Sequence, residues 1–168
     1  MKQNTLFFAL LLMVNFVFSQ NNVWQKQTRS NNSVEGLSKF HLESDKVHHF
    51  RLNSDLFRQT LDGAPLRGNS RSSNVVISVP GADGVLEPFT IYEAPVFTET
   101  LSARYPKIKS YVGFSLDNKG SRLRMSVSPQ GVQTMITYVD KESVFLMPTA
   151  HGSDDYLLYN KSSRGNYI

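Results

Sequence analysis

From Pro106 to Tyr138 the chain alternates apolar and polar residues in three short runs separated by turn residues. Val112, Phe114 and Leu116 share one face of the first run. Leu123, Met125 and Val127 share a face of the second, opposite Arg122, Arg124 and Ser126. Val132, Ile136 and Tyr138 share a face of the third. A period of two with one apolar face predicts half-buried strands. The turns agree. Asp117-Asn118-Lys119-Gly120 and Ser128-Pro129-Gln130-Gly131 each place Asp or Ser first and Gly fourth, and Pro129 supplies the fixed φ of a type I turn. The stretch predicts a three-stranded meander.

The same reading extends outward. Val47–Leu52 is a strand with His48, Phe50 and Leu52 on one face. Residues 53–63 carry helix punctuation. Asn53 or Ser54 caps, Asp55 complements the dipole, Phe57 and Leu61 lie four apart, and Gly63 with Pro65 ends the turn. Asn74–Pro80 is apolar on both faces, which predicts a central strand. Val85–Tyr92 follows, its first half demoted to an edge by Pro88. Thr98 caps a second short helix that Pro106 ends, with Leu101 and Tyr105 on one face. Ser143–Met147 and Tyr156–Tyr159 complete about seven or eight strands. The expected fold is mainly β, an antiparallel sandwich or open barrel-like meander with two short helices.

The N-terminus adds a compartment. Lys2 precedes an almost wholly apolar run from Leu6 to Phe18, and Ser19 follows. About 13 apolar residues fall short of the roughly 20 that span a bilayer, so the run predicts a signal peptide cleaved between Ser19 and Gln20. The expected organisation is residues 1–19 signal, 20–45 polar lead-in with Trp24 docking on the domain, 46–160 β-rich domain and 161–168 polar tail or truncated linker. The expected location is secreted, periplasmic or extracellular, with no membrane association after signal removal.

Composition narrows the chemistry. The formal net charge of +4 is small and evenly spread, which argues against a nucleic-acid partner. With no cysteine in the 168 residues, disulfides, thiol nucleophiles and Cys-based zinc sites are excluded. The four histidines form no HExxH, and the adjacent His48 and His49 point to opposite faces of a strand. His151 with Asp154 and Asp155 is a candidate weak metal site, with a solvated acidic turn as the plainer reading. There is no GxSxG elbow, no SxxK and no phosphate loop. The expectation is therefore no catalytic residue, no metal ligand and no cofactor. Arg104, Tyr105, Lys107 and Tyr111 mix aromatic and basic character as interfaces do, and form the candidate partner surface.

The order of motifs adds a resemblance. Its pieces are Trp24, Phe50-Arg51-Leu52-Asn53 running into Leu56, Leu61, Ala64 and Pro65, Val76–Pro80 with Asp83-Gly84, and Phe89–Glu93. They continue through Tyr105–Gly113, Arg124–Gly131, Met135-Ile136, Val144–Pro148 and Tyr156–Asn160. Roughly residues 1–160 thus resemble the N-terminal propeptide region of secreted, Bacteroidetes-type zinc metallopeptidases of the reprolysin (adamalysin-like) class. The resemblance implies a non-catalytic pro-region that assists folding and latency of a cognate metallopeptidase domain, in cis or in trans. In that family zinc sits in a catalytic domain with HExxHxxGxxH, a motif this sequence does not contain. A cysteine switch is impossible here. The alternative is a free-standing secreted module for adhesion or glycan binding, displaying Tyr92, Tyr111 and Tyr138 on a flat face.

Overall fold

The computed structural model describes residues 23–28, 38, 41–43, 46–68 and 72–164. The signal segment, the Ser19–Gln20 junction and residues 165–168 lie outside the described residues. Nine antiparallel strands form one sheet that curls into a nearly closed barrel. They are β1 (Trp24–Gln27), β2 (His48–Leu52), β3 (Val76–Pro80), β4 (Leu86–Glu93), β5 (Lys109–Ser115), β6 (Arg122–Ser128), β7 (Gly131–Thr137), β8 (Val144–Pro148) and β9 (Asp155–Asn160). Helix α1 (Ser54–Thr60) follows β2 and α2 (Glu99–Arg104) follows β4. The order across the sheet is β1-β2-β9-β8-β7-β6-β5-β4-β3. β3 to β9 is thus an up-and-down meander, and the β1–β2 pair joins it beside β9.

The expected meander is present with both turns. Asn118 N–H bonds Ser115 Oγ at 3.0 Å, Gln130 N–H bonds Ser128 Oγ at 3.2 Å, and Gly120 and Gly131 take positive φ. Inward positions fill the barrel: Phe50 and Leu52 from β2, Ile77 and Val79 from β3, Phe89 and Ile91 from β4. Leu123, Met125 and Val127 continue it from β6, with Val132 and Ile136 from β7.

One end is closed by α1. Asn53 Oδ1 accepts the Leu56 N–H at 3.1 Å, Phe57 and Leu61 turn into the core, and the Arg58 guanidinium donates to the Ser128 carbonyl at 2.8 Å. At the other end the Tyr138 hydroxyl donates to Glu87 at 2.7 Å and accepts from Ala82 N–H at 3.0 Å, tying β7 to the β3–β4 turn. That turn also reaches the far edge of the sheet. A Cβ placed on Gly84 would lie 3.1 Å from both Lys26 Nζ and the His48 ring. These contacts bring the two sheet edges together, which a two-sheet sandwich would not do.

Four expectations change. Trp24 docks on the domain as expected, between Phe57 and Tyr156, but Trp24–Gln27 of the polar lead-in is itself a strand. Lys161–Ser163 of the expected tail is a 3-10 turn capped by Asn160, followed by a bridge between Arg164 and Leu42. The strand at Val76–Pro80 is an edge, not a centre: only β4 pairs with it among the described residues, and Val76 is exposed. The strand that follows is as expected: β4 is paired on both sides only from Phe89 on, and Leu86–Pro88 pairs with β3 alone, so the N–H that Pro88 lacks breaks no rung.

The fourth change concerns β5. Its strand bounds are close to the expected ones, but the faces are reversed. Tyr111 and Gly113 point inward, while Val112 and Phe114 lie on the outer face and Leu116 is exposed beyond the strand. Register explains this. Gly113 stands opposite both Ile91 and Leu123, whose side chains occupy the space that a larger residue would need.

Candidate protein-binding surface

The links between neighbouring meander strands run from two to six residues, with one exception. Between β4 and β5 the chain makes an excursion of fifteen residues, Ala94–Ile108. Local chemistry shapes it. Pro95 stops the strand, Thr98 Oγ1 accepts the Leu101 N–H at 3.4 Å to start α2, and Pro106 prevents its continuation. The base is fixed by the Ala94 N–H bond to Ser110 O at 2.8 Å, the Glu93 N–H bond to Pro65 O at 2.9 Å and a 3.2 Å Lys109–Glu93 ion pair.

What the excursion does not do is bury its apolar side chains. α2 has no buried residue. Val96 is 75% exposed, Tyr105 44%, Leu101 41% and Phe97 36%. Arg104 lies over the Tyr105 ring at 5.6 Å, and Lys107 is exposed beside them. Aromatic and aliphatic groups on a braced loop, flanked by Arg104 and Lys107, have the composition of a protein interface.

A second feature adjoins it. On the outer face, register aligns one residue from each strand in a row: Tyr92, Val112, Arg124, Met135, Phe145 and Tyr159. Below Val96 this row borders an open groove of about 370 Å³ that crosses β5 to β8. Phe145 stacks on Tyr159 at 5.6 Å, and Leu157 and Tyr159 are covered by Leu42 and Val47. The apolar row is therefore sheltered at the β9 end, its β5 member Val112 is buried, and it is open at Arg124 and in part at Met135 and Phe145.

Of the four residues expected to form a partner surface, Arg104, Tyr105 and Lys107 come together on the excursion. Tyr111 does not join them: it is 5% exposed and points into the barrel, because β5 is turned the other way round. Its hydroxyl is pushed up to about 12, first by burial and then by the charges of Glu93 and Asp62, with Arg58 opposing. The folded state holds this proton more tightly than the unfolded chain, whose tyrosines titrate near 10. The stabilisation is complete below pH 10 and is lost as pH rises toward 12. Urea unfolding across that range is expected to show falling stability. Tyr111→Phe should flatten the fall, leaving the share of Tyr138 and Tyr156, which burial also pushes up. An unchanged slope in the variant would contradict the inward placement.

The expected glycan-binding triad is also taken apart. Tyr92 lies outward against Phe114, ring centroids 5.8 Å apart, whereas Tyr111 and Tyr138 face inward. His151, Asp154 and Asp155 are likewise divided. Asp155 is buried and paired with Arg51 at 3.1 Å, Asp154 accepts from Ser54 Oγ at 2.6 Å, and His151 is exposed. Among the described residues no group of three or more His, Cys, Asp or Glu is placed to hold a metal.

The sequence reading missed the exposed Val96, Phe97 and Leu101 and the outer row. A signal was available for the row. Val144-Phe145-Leu146-Met147 is apolar on both faces, so one face had to lie outside the barrel. No protein-family model, no curated protein and no solved structure matches this chain.

Proposed function

We propose that this chain is a non-catalytic binding domain whose β4–β5 excursion docks on a protein partner, and that the partner is an exported zinc metallopeptidase domain for which the chain serves as pro-region. The observation that carries the binding reading is the excursion itself. It is the longest link of the meander, braced at its base, and it leaves Val96, Phe97, Leu101 and Tyr105 in solvent. The choice of partner rests on the resemblance in motif order. A domain bound in this way stabilises the native state of its partner by mass action, and covering the partner's cleft gives latency.

The test is inhibition in trans. The chain from Gln20 onward is added to a reprolysin-class protease domain of the same source while peptide hydrolysis is followed. Saturable inhibition is expected. Phe97→Ser/Leu101→Ser/Tyr105→Ser should weaken it by about 30-fold or more, the effect of losing interface anchors worth about 2 kcal/mol. Thermal unfolding should barely move, because α2 buries nothing. Inhibition untouched by the triple substitution would exclude the excursion, and absence of both inhibition and binding would exclude the protease partner.

A further inference from the structure

We infer that the outer groove is a second recognition site beside the excursion. It takes an extended segment of a protein partner that carries an acidic residue between apolar ones, with the carboxylate on Arg124. The inference rests on the reading of the chain as a protein-binding domain, but its geometry and its test are separate.

Arg124 is the one charged residue in the outer row, flanked by its register partners Val112 and Met135 with Phe145 next. None of the four ion pairs among the described residues engages it. The neighbouring charges are of the same sign. Arg122, two residues along the same face, sits over the Phe114 ring at 4.7 Å. Glu93, at the base of the excursion, is held by Lys109 at 3.2 Å. An exposed guanidinium set in an apolar row, with a second guanidinium two residues along, calls for a carboxylate between two apolar groups.

The groove also favours a peptide over other carboxylates. Ser110, Ser126 and Gln133 form the neighbouring row and offer hydroxyl and amide groups for backbone hydrogen bonds. From β5 to β8 the row covers three strand spacings of about 4.8 Å, the reach of roughly five extended residues. Alternate side chains of such a segment face one way, so an apolar–x–Glu–x–apolar pattern matches it. A fatty acid would instead need an enclosed tunnel for its chain, and this groove is open along its length.

The test uses the chain from Gln20 onward and fluorescent peptides of the form Leu-x-Glu-x-Phe, their Gln counterparts, and oleate. Saturable binding of the Glu peptide about tenfold tighter than the Gln peptide is expected. Arg124→Gln should abolish the preference without loss of fold, since Arg124 is exposed, and Arg124→Lys should restore part of it. The excursion variant Leu101→Ser should keep the full preference, which separates this site from the one that blocks the protease. Equal binding of Glu and Gln peptides, a preference that survives Arg124→Gln, binding of oleate but no peptide, or no saturable binding at all would each overturn the inference.

Discussion

Replacing Trp24 by alanine is expected to lower the stability of the domain by about 3–5 kcal/mol, the range for deleting a large buried aromatic. The indole is 3% exposed, edge-on to Phe57 at 5.7 Å and to Tyr156 at 5.2 Å. It therefore joins three separate pieces of chain: the edge strand β1, the plug helix α1 and the central strand β9. In β1, a strand of four residues, Trp24 is the only apolar one. The loss should accordingly include part of the β1–β2 pairing. Trp24→Phe should cost less than alanine for two reasons. It keeps most of the buried area, and it removes the indole N–H, which is buried with no hydrogen-bond partner among the described residues. Urea unfolding checks both, and limited proteolysis near Gln25 checks the detachment of β1. A loss below about 1 kcal/mol would be that of a surface residue and would mean that β1 is not docked.

Much of this fold was legible because local chemistry and final structure agree. Asn53 and Thr98 cap the helices expected of them, and Ser128-Pro129-Gln130-Gly131 turns where its residues demand. What could not be read depends on partners distant in sequence. β1 shows one apolar residue among WQKQ, so no periodicity marks it as a strand. It exists because it pairs with β2 and because a cavity between Phe57 and Tyr156 receives Trp24. Barrel closure likewise depends on β2 pairing with β9, from His48 with Leu158 to Arg51 with Asp155, and on Gly84 meeting His48. No local residue pattern distinguishes that outcome from a sandwich. The candidate surface was half legible. Arg104, Tyr105 and Lys107 were found by their chemistry, whereas Tyr111 was misplaced by an alternation that gave the strand correctly and the face wrongly. Hydrophobic alternation identifies the apolar face with the core only when the other face is polar. In β5 the outer face is apolar as well, because it belongs to the row that runs from Tyr92 to Tyr159.

That reversal has a direct test at Gly113. Were Val112, Phe114 and Leu116 the core face, Gly113 would look outward and a valine there would add β-propensity at no steric cost. In the structure a Cβ at Gly113 meets Ile91 Cδ1 and Leu123 Cβ, each at 2.9 Å. The first contact is the tip of a flexible side chain and can yield. The second is a Cβ fixed to its backbone, in a strand paired on both sides, and cannot move without shifting β6. Ile91 and Leu123 are both essentially fully buried, so displaced atoms have nowhere empty to go. Gly113→Val is therefore expected to destabilise the domain by about 3 kcal/mol, the upper end of the usual overpacking range, and Gly113→Ala by less. Ile91→Val deletes the Cδ1 that the new side chain strikes. In the double variant part of the loss should be recovered, giving a coupling of about 1 kcal/mol between two residues in contact. Strict additivity of Gly113→Val and Ile91→Val, or a stabilised Gly113→Val, would place Gly113 on the outside of the barrel. Tyr111 would then go with it, back onto the surface beside Tyr105 and Lys107.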